Sequence, residues 1–490
     1  MKANHLHPSP RRFVLMTAGL TLAVLVPAFA DSDAKPNVTT TKPAETPLLS
    51  FFDGALVFDF EERLRFEARS NNRDFNDAVN DSTDDSWLLS RFRLGVALKP
   101  TAWLKVYGQL HDTREWDSDR VNIPGVNGTE GGDTFDLRQA NVELGNAKEF
   151  PLSVMLGRQA LNYENFRLVA DPNWGNFGRT FDGVKLRYQK KGVGFIDLWA
   201  ARPVQIKEEV INDSDSADNF LGLFASLGLL PFQTTDLYLL YRDKADNQPD
   251  LDPTNKPDPR GTWTGPAQRT TTVGTRWISR KDALQGWDYT GEFAFQFGDL
   301  WTGDRTTPRL GHRAFATALV TGYTFTDLAW KPRVGVEYDY ASGDKNPDDG
   351  KSQSFQNLFA SNHAHYGFMD IFDWRNLHDA RFALSAQPVK TITATFDYHA
   401  FWLAETTDYW ARSNNGNSTL RTKTPAGVDV RRIKASNFAG QELDFTITWK
   451  PAREFNLLVG YSHFFPGAYL RDTGPADAAD FGYMQAQVLF

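Results

Sequence analysis

Residues Leu56–Ser70 read LVFDFEERLRFEARS, an alternation that only an extended strand can use. Leu56, Phe58, Phe60, Leu64, Phe66 and Ala68 fall on one face of such a strand. Asp59, Glu61, Arg63, Arg65, Glu67 and Arg69 fall on the other. Two settings suit a ribbon that is oily on one side and ionic on the other. In a soluble antiparallel sheet the oily face packs on a core and the ionic face meets bulk water. In an outer-membrane barrel the oily face meets lipid and the ionic face a wet lumen. Glu62 breaks the pattern and is expected near a rim.

The rest of the chain decides between the two. Alternation and β-branched or aromatic content predict strands at 55–69, 87–99, 102–113, 134–144, 151–159, 180–190, 193–203, 219–230, 234–243, 269–279, 287–298, 312–325, 331–341, 376–387, 390–403, 439–450, 453–464 and 479–490. The gaps alternate in length. LKPTAW, AWKPRV, SAQPVK and TWKPAR close even-to-odd connections within a few residues, each with a proline that presets φ for a tight turn. Most odd-to-even connections are long and rich in Asp, Asn, Gly and Pro, as in residues 243–266, 342–351 and 411–420. A soluble sandwich has no reason to sort its loops by parity. A transmembrane antiparallel β-barrel of about 18 strands does, with short periplasmic turns and long extracellular loops. The last strand, FGYMQAQVLF, runs to Phe490 and is expected to close on the first, since an open edge in lipid leaves backbone groups unsatisfied.

Composition agrees with that reading. A mean hydropathy of −0.46 is too polar for a bundle of membrane helices, whereas a barrel spends only alternate residues on lipid. Fourteen Trp, fifteen Tyr and thirty-seven Phe supply interfacial girdles, and the absence of cysteine removes disulfides and thiol nucleophiles. Lys2, Arg11 and Arg12 precede the apolar run 13–26 and the sequence PAFA, the layout of a secretory signal peptide cleaved after Ala30. The −8 formal charge becomes −11 once its three positive charges are removed, which disfavours nucleic acid as a partner. The expected organisation is a signal peptide at 1–30, a flexible periplasmic tail at 31–50 and one barrel at 51–490, placed in a Gram-negative-type outer membrane after Sec-dependent export.

Several segments follow one another in order: GVEYDYASGD, FQNLFASNHAHYGFMD, WRNLHD, DYHAFWLAETTDYW, GQELDFTITW and VGYSHFFPGAYL, with LRQANVELG and MLGRQALNYE upstream. This order resembles the alginate export family of outer-membrane porins. The resemblance implies an eighteen-stranded monomeric barrel whose luminal arginines guide a polyuronate. It carries over Arg138 in LRQ, Arg158 in GRQ and the acidic Glu442 in GQELD. A tight turn at 450–453 stands where the alginate exporter has a long periplasmic plug.

An anionic sugar needs fixed cations along its path, and the arginine fork can bind both oxygens of a carboxylate. Inward positions predicted from strand phase include Arg63, Arg65, Arg93, Arg138, Arg158, Arg187, Arg276, Arg333 and Arg381. Glu337 and Glu442, with Glu292 and Asp444, would be counter-ions. The plainer reading is that luminal charges pair across strands and solvate the wall. His363 and His365 are more simply loop-packing residues than metal ligands, and Tyr366, Trp374 and Trp402 offer stacking faces. The acidic pairs at 213–215 and 348–349 are candidates for divalent ions shared with lipopolysaccharide, against the simpler reading of a solvated surface. No cofactor, metal or catalytic residue is indicated. The sequence supports a porin passing alginate-like poly- or oligosaccharides, with a general or other-substrate porin as the alternative. An adhesive barrel working through its loops and a barrel-embedded hydrolase built on His399 and Ser462 or His463 are further readings. Periplasmic secretion partners are an added expectation.

Overall fold

A computed structural model describes residues 49–490 apart from 80–83, 119–131, 147, 208–209, 246–266, 281, 304 and 412–419. The signal peptide, almost all of the tail, and most of the long loops at 243–266 and 411–420 lie outside the described residues. Eighteen long antiparallel strands form the wall: β1 (Leu56–Ser70), β2 (Asp85–Thr101), β3 (Leu104–Trp116), β4 (Asp133–Gly145), β5 (Leu152–Gln159), β6 (Phe181–Lys190), β7 (Gly194–Gln205), β8 (Asp218–Leu230), β9 (Gln233–Lys244), β10 (Gln268–Ser279), β11 (Trp287–Trp301), β12 (Arg309–Thr324), β13 (Arg333–Ala341), β14 (Leu377–Val389), β15 (Ile392–Leu403), β16 (Phe438–Ala452), β17 (Phe455–Pro466) and β18 (Ala479–Leu489). Each pairs with its neighbour in sequence, and β18 pairs with β1 in the register Arg63↔Gln487, Leu64↔Ala486 and Phe66↔Met484. Phe60 and Phe490 exchange both backbone hydrogen bonds, at 3.2 and 3.0 Å. No edge remains, which is the condition for a sheet to stand in lipid.

The faces sort as alternation requires. On β1, Leu64 and Phe66 are 46% and 44% exposed while Arg63 and Arg65 between them are 2% and 0%. The same contrast recurs around the barrel, where Leu198, Leu319, Val336 and Met484 point out. No described helix is long and apolar enough to cross a membrane; the crossing is made by strands. Glu62 is not at a rim. It lies mid-strand, opposite Phe92 of β2 and Val488 of β18, on the outward row that also carries Asp112 of β3.

Two long connections do not stay outside. Residues 160–180, between β5 and β6, and 353–376, between β13 and β14, turn into the barrel and pair with each other. Phe359 donates to the Leu168 carbonyl at 2.8 Å, Ala170 to Phe359 at 2.9 Å and Ser361 to Phe166 at 2.8 Å. Leu168, Val169, Phe359, Phe181, Phe220, Tyr366 and Trp374 belong to one buried apolar cluster inside the wall. These inward loops therefore bring a hydrophobic core into what strand alternation alone describes as a wet tube. Where β12 outruns the shorter β13, Lys351–Ser352 pairs with Gly311 and His312 and extends the wall.

Candidate functional site

The site grows from β1 and β2. Their inward rows place Arg63, Arg65 and Arg69 beside Arg91 and Arg93, and β4 adds Arg138. Guanidinium groups this close repel unless acceptors lie between them. The first inward loop supplies a row of them. Arg63 donates to the carbonyls of Asn173 and Trp174 at 2.8 and 3.1 Å, and Arg65 to Trp174 at 2.6 Å. Arg91 donates to Asn173 and Gly175, both at 2.9 Å, and Arg93 to Phe177 at 3.1 Å. Trp174 lies between the Arg65 guanidinium, 3.9 Å from its ring centre, and the His363 imidazole stacked at 3.8 Å. Asp171 bonds Arg138, and burial, which would raise its pKa, is outweighed by Arg138 and Arg93, so its carboxyl sits below the usual range. The loop thus sets a row of oxygens against the guanidinium groups.

The wall from β13 to β16 is acidic. Glu337 and Asp339 of β13, Asp379 of β14, Asp397 of β15, and Glu442 and Asp444 of β16 are all buried and inward. Arg167 of the first inward loop bonds Glu337, Asp339 at 3.2 Å and the Tyr366 hydroxyl at 2.7 Å. Burial opposes its charge, but Asp339, Tyr366 and Glu337 together hold its pKa well above normal. Glu442 accepts from the Met369 backbone at 2.9 Å, and Arg69 donates to the Met369 carbonyl at 2.8 Å, so the second loop is held from both walls. Burial and Arg167 push the His365 pKa well down; its Nε2 lies 2.7 Å from the Asn165 carbonyl.

Of the arginines singled out in the sequence, Arg65, Arg93, Arg138, Arg158, Arg187, Arg276, Arg333 and Arg381 each have an acidic partner. Arg138 bonds Asp171 and, at 2.7 Å, Gln109. Arg187 grips Asp197 through two 2.6 Å bonds, Arg276 meets Asp236 at 2.6 Å, and Arg333 meets Asp288 at 2.6 and 2.7 Å. Arg381 bridges Glu337 at 3.1 Å and Asp397 at 3.0 Å. Arg158 corrects the inward assignment. Asn141 and Gly157 form the inward row, so Arg158 falls on the outward row with Ala140, Asp182 and Arg202. There it binds Asp182 at 2.9 and 3.0 Å and the Asn212 carbonyl at 2.9 Å. Both ladders of β5 run without a slip through Leu156, Gly157 and Arg158, so Arg158 simply keeps the outward phase of Val154 and Leu156. The expectation that the ionic face of β1 meets water also fails for Arg63, Arg65 and Glu67, which the inward loop seals. Tyr366 and Trp374 are buried in the apolar cluster, not offered as stacking faces. His399 holds Asp379 at 2.9 Å, but Ser462 stands across from Asp444 and His463 pairs with Asp480 at 2.7 Å. Arg167, Asp171 and Trp174 were not anticipated; the apolar LVA at 168–170 followed by NWGNFG, unlike a solvated loop, was the available signal.

The model of the alginate export family matches residues 55–484, from the start of β1 into β18. The chain belongs to that family. Solved structures agree on the fold. Pseudomonas aeruginosa OpdQ is 10% identical with a TM-score of 0.56, the alignment covering 88% of this chain and 97% of that one. Pseudomonas aeruginosa OccD3 (OpdP) is 11% identical with a TM-score of 0.54, over 91% and 92%. Pseudomonas aeruginosa OpdK, solved with vanillate, is 8% identical with a TM-score of 0.55, over 88% and 98%. No curated protein sequence matches. Family and fold make this alginate-export-family chain an outer-membrane porin, a transport channel built as a closed 18-strand barrel.

Proposed function

We propose that this porin passes anionic oligo- or polysaccharides of the uronate class along the arginine-bearing wall of β1, β2 and β4. The observation that carries the reading is the run of loop carbonyls from Asn173 to Phe177 on Arg63, Arg65, Arg91 and Arg93, an array of donors that a string of carboxylates would satisfy in the same way. Arg187 and Arg333, whose side chains are 34% and 29% exposed, line the approach, with Arg138, Arg276 and Arg381 completing the luminal set. Glu337 and Glu442 act through the loops and arginines they hold. Arg158 serves the mouth, not the lumen. Selectivity comes from width and fixed charge, with no chemical step. The barrel works as a monomer in lipopolysaccharide-bearing membrane after Sec-dependent export.

A general porin is the competing reading, favoured by the acidic partners of Arg65, Arg91, Arg93, Arg138, Arg187, Arg276, Arg333 and Arg381. Planar-bilayer recordings separate the two. A reversal potential showing anion preference, block by uronate oligomers, and weakened preference in Arg187→Ala and Arg333→Ala support the uronate reading. Cation preference without block ends it and leaves the barrel intact.

A further inference from the structure

We propose that the long-loop mouth of the barrel carries a site for one divalent transition-metal ion, ligated by His111, Asp133 and Asp136. In a regular strand, residues three apart face opposite sides, so Asp133 and Asp136 should not share a face. The β3–β4 ladder slips between the pairs His111↔Asp136 and Thr113↔Asp133, and Phe135 takes φ +44°. That bulge turns Phe135 outward and both carboxylates inward, next to the imidazole. One ligand atom from each of the three residues lies within 4.8 Å of the others, and all three are buried.

The local bonding leaves acceptors in excess. His111 Nε2 meets Asp133 Oδ2 at 2.8 Å, and the Asn212 amide donates to Asp133 at 2.8 Å and to Asp136 at 2.7 Å. His111 Nδ1 and Asp133 Oδ1 are buried with no partner. Buried acceptors of this kind cost free energy unless a cation or donor reaches them. Beside them is a cavity of about 10 Å³ bordered by His111, Asp136 and Asn212, room for one water-sized body. Arg138 is engaged with Asp171 and Gln109, and Arg158 is held by Asp182 and reaches Asp136 only in a long ion pair of 3.9 Å. One imidazole and two carboxylates suit a Zn²⁺-type ion, whereas Ca²⁺ asks for six to eight oxygens. The Asn212 backbone N–H donates to Asp136 at 3.0 Å, so an ion here clamps the segment between β7 and β8 onto the wall beside Arg138.

The test uses the full chain in detergent, stripped with a chelator and titrated calorimetrically with ZnCl₂. The wild type should take up one equivalent and unfold at a higher temperature with it. His111→Ala and Asp136→Asn should weaken uptake roughly tenfold or more and lose the thermal shift. Asp136→Asn keeps the size of the side chain and decides the matter where His111→Ala does not fold. The proposal is overturned by no uptake in the wild type, by variants that titrate like it, or by a response to CaCl₂ with none to ZnCl₂.

Discussion

Replacing Gly178 by Ala tests whether the first inward loop is held by the bonds at its end. Gly178 has φ +76°, and a Cβ there would lie 2.3 Å from Asp171 Oδ1, 3.0 Å from Arg93 Nη2 and 3.1 Å from Arg138 Nη2. The left-handed backbone costs an alanine about 1–2 kcal/mol, and the overpacking adds about 1–3 kcal/mol. A loss of about 2–5 kcal/mol opens the loop roughly 30- to 5,000-fold more often. Hydrogen exchange reads this directly, because the Arg179 N–H is held by Asp171 Oδ1 at 2.7 Å, the oxygen into which the new methyl intrudes. Protection at Arg179 should fall by that factor. Single-channel conductance and anion preference should rise together as Arg63, Arg65, Arg91 and Arg93 are uncovered. Gly192→Ala is the control: φ is +78°, nothing lies within 4 Å, and the residue sits in the short turn between β6 and β7. If Gly178→Ala leaves exchange and conductance where Gly192→Ala leaves them, the loop is not held at Asp171 and the reasoning is wrong.

Arg167→Met should lower the thermal midpoint in detergent by the equivalent of about 3–5 kcal/mol, since it strands the buried Glu337 and Asp339; an unchanged midpoint would mean that the loop docks without its cation. Asp373 in the second inward loop has its carboxyl pushed up to about 7 by burial. The folded state keeps the proton that the unfolded chain releases near pH 4, so this stabilisation is complete below that pH. It is lost at about 1.4 kcal/mol per unit as pH rises to 7. Asp373→Asn should flatten the pH profile of exchange in residues 353–376, and a variant that follows the wild-type profile would assign the dependence to another group. Leu319→Arg, on the outward face of β12, should cost about 2–4 kcal/mol on refolding into bilayers, and a cost near zero would place Leu319 outside the hydrocarbon.

The wall of this porin was legible because lipid imposes one rule on every strand. A period of two, repeated over Leu56–Ser70, Arg333–Ala341 and Phe438–Ala452, marks which residue meets acyl chains and which does not. The parity of loop lengths then fixes antiparallel order, and a sheet in lipid has to close. The inward loops obey no such period. Their path depends on where Leu168, Phe359 and Trp374 find apolar company and where residues 173–177 find guanidinium donors, partners 82 to 112 residues away. Nor does counting reveal a bulge, because one slipped residue reverses the face of all that follow. Such a slip in β4 turns Asp133 and Asp136 inward together. Local alternation therefore determined the cylinder, while the contents of its bore were decided by contacts that exist only once the cylinder has closed around them.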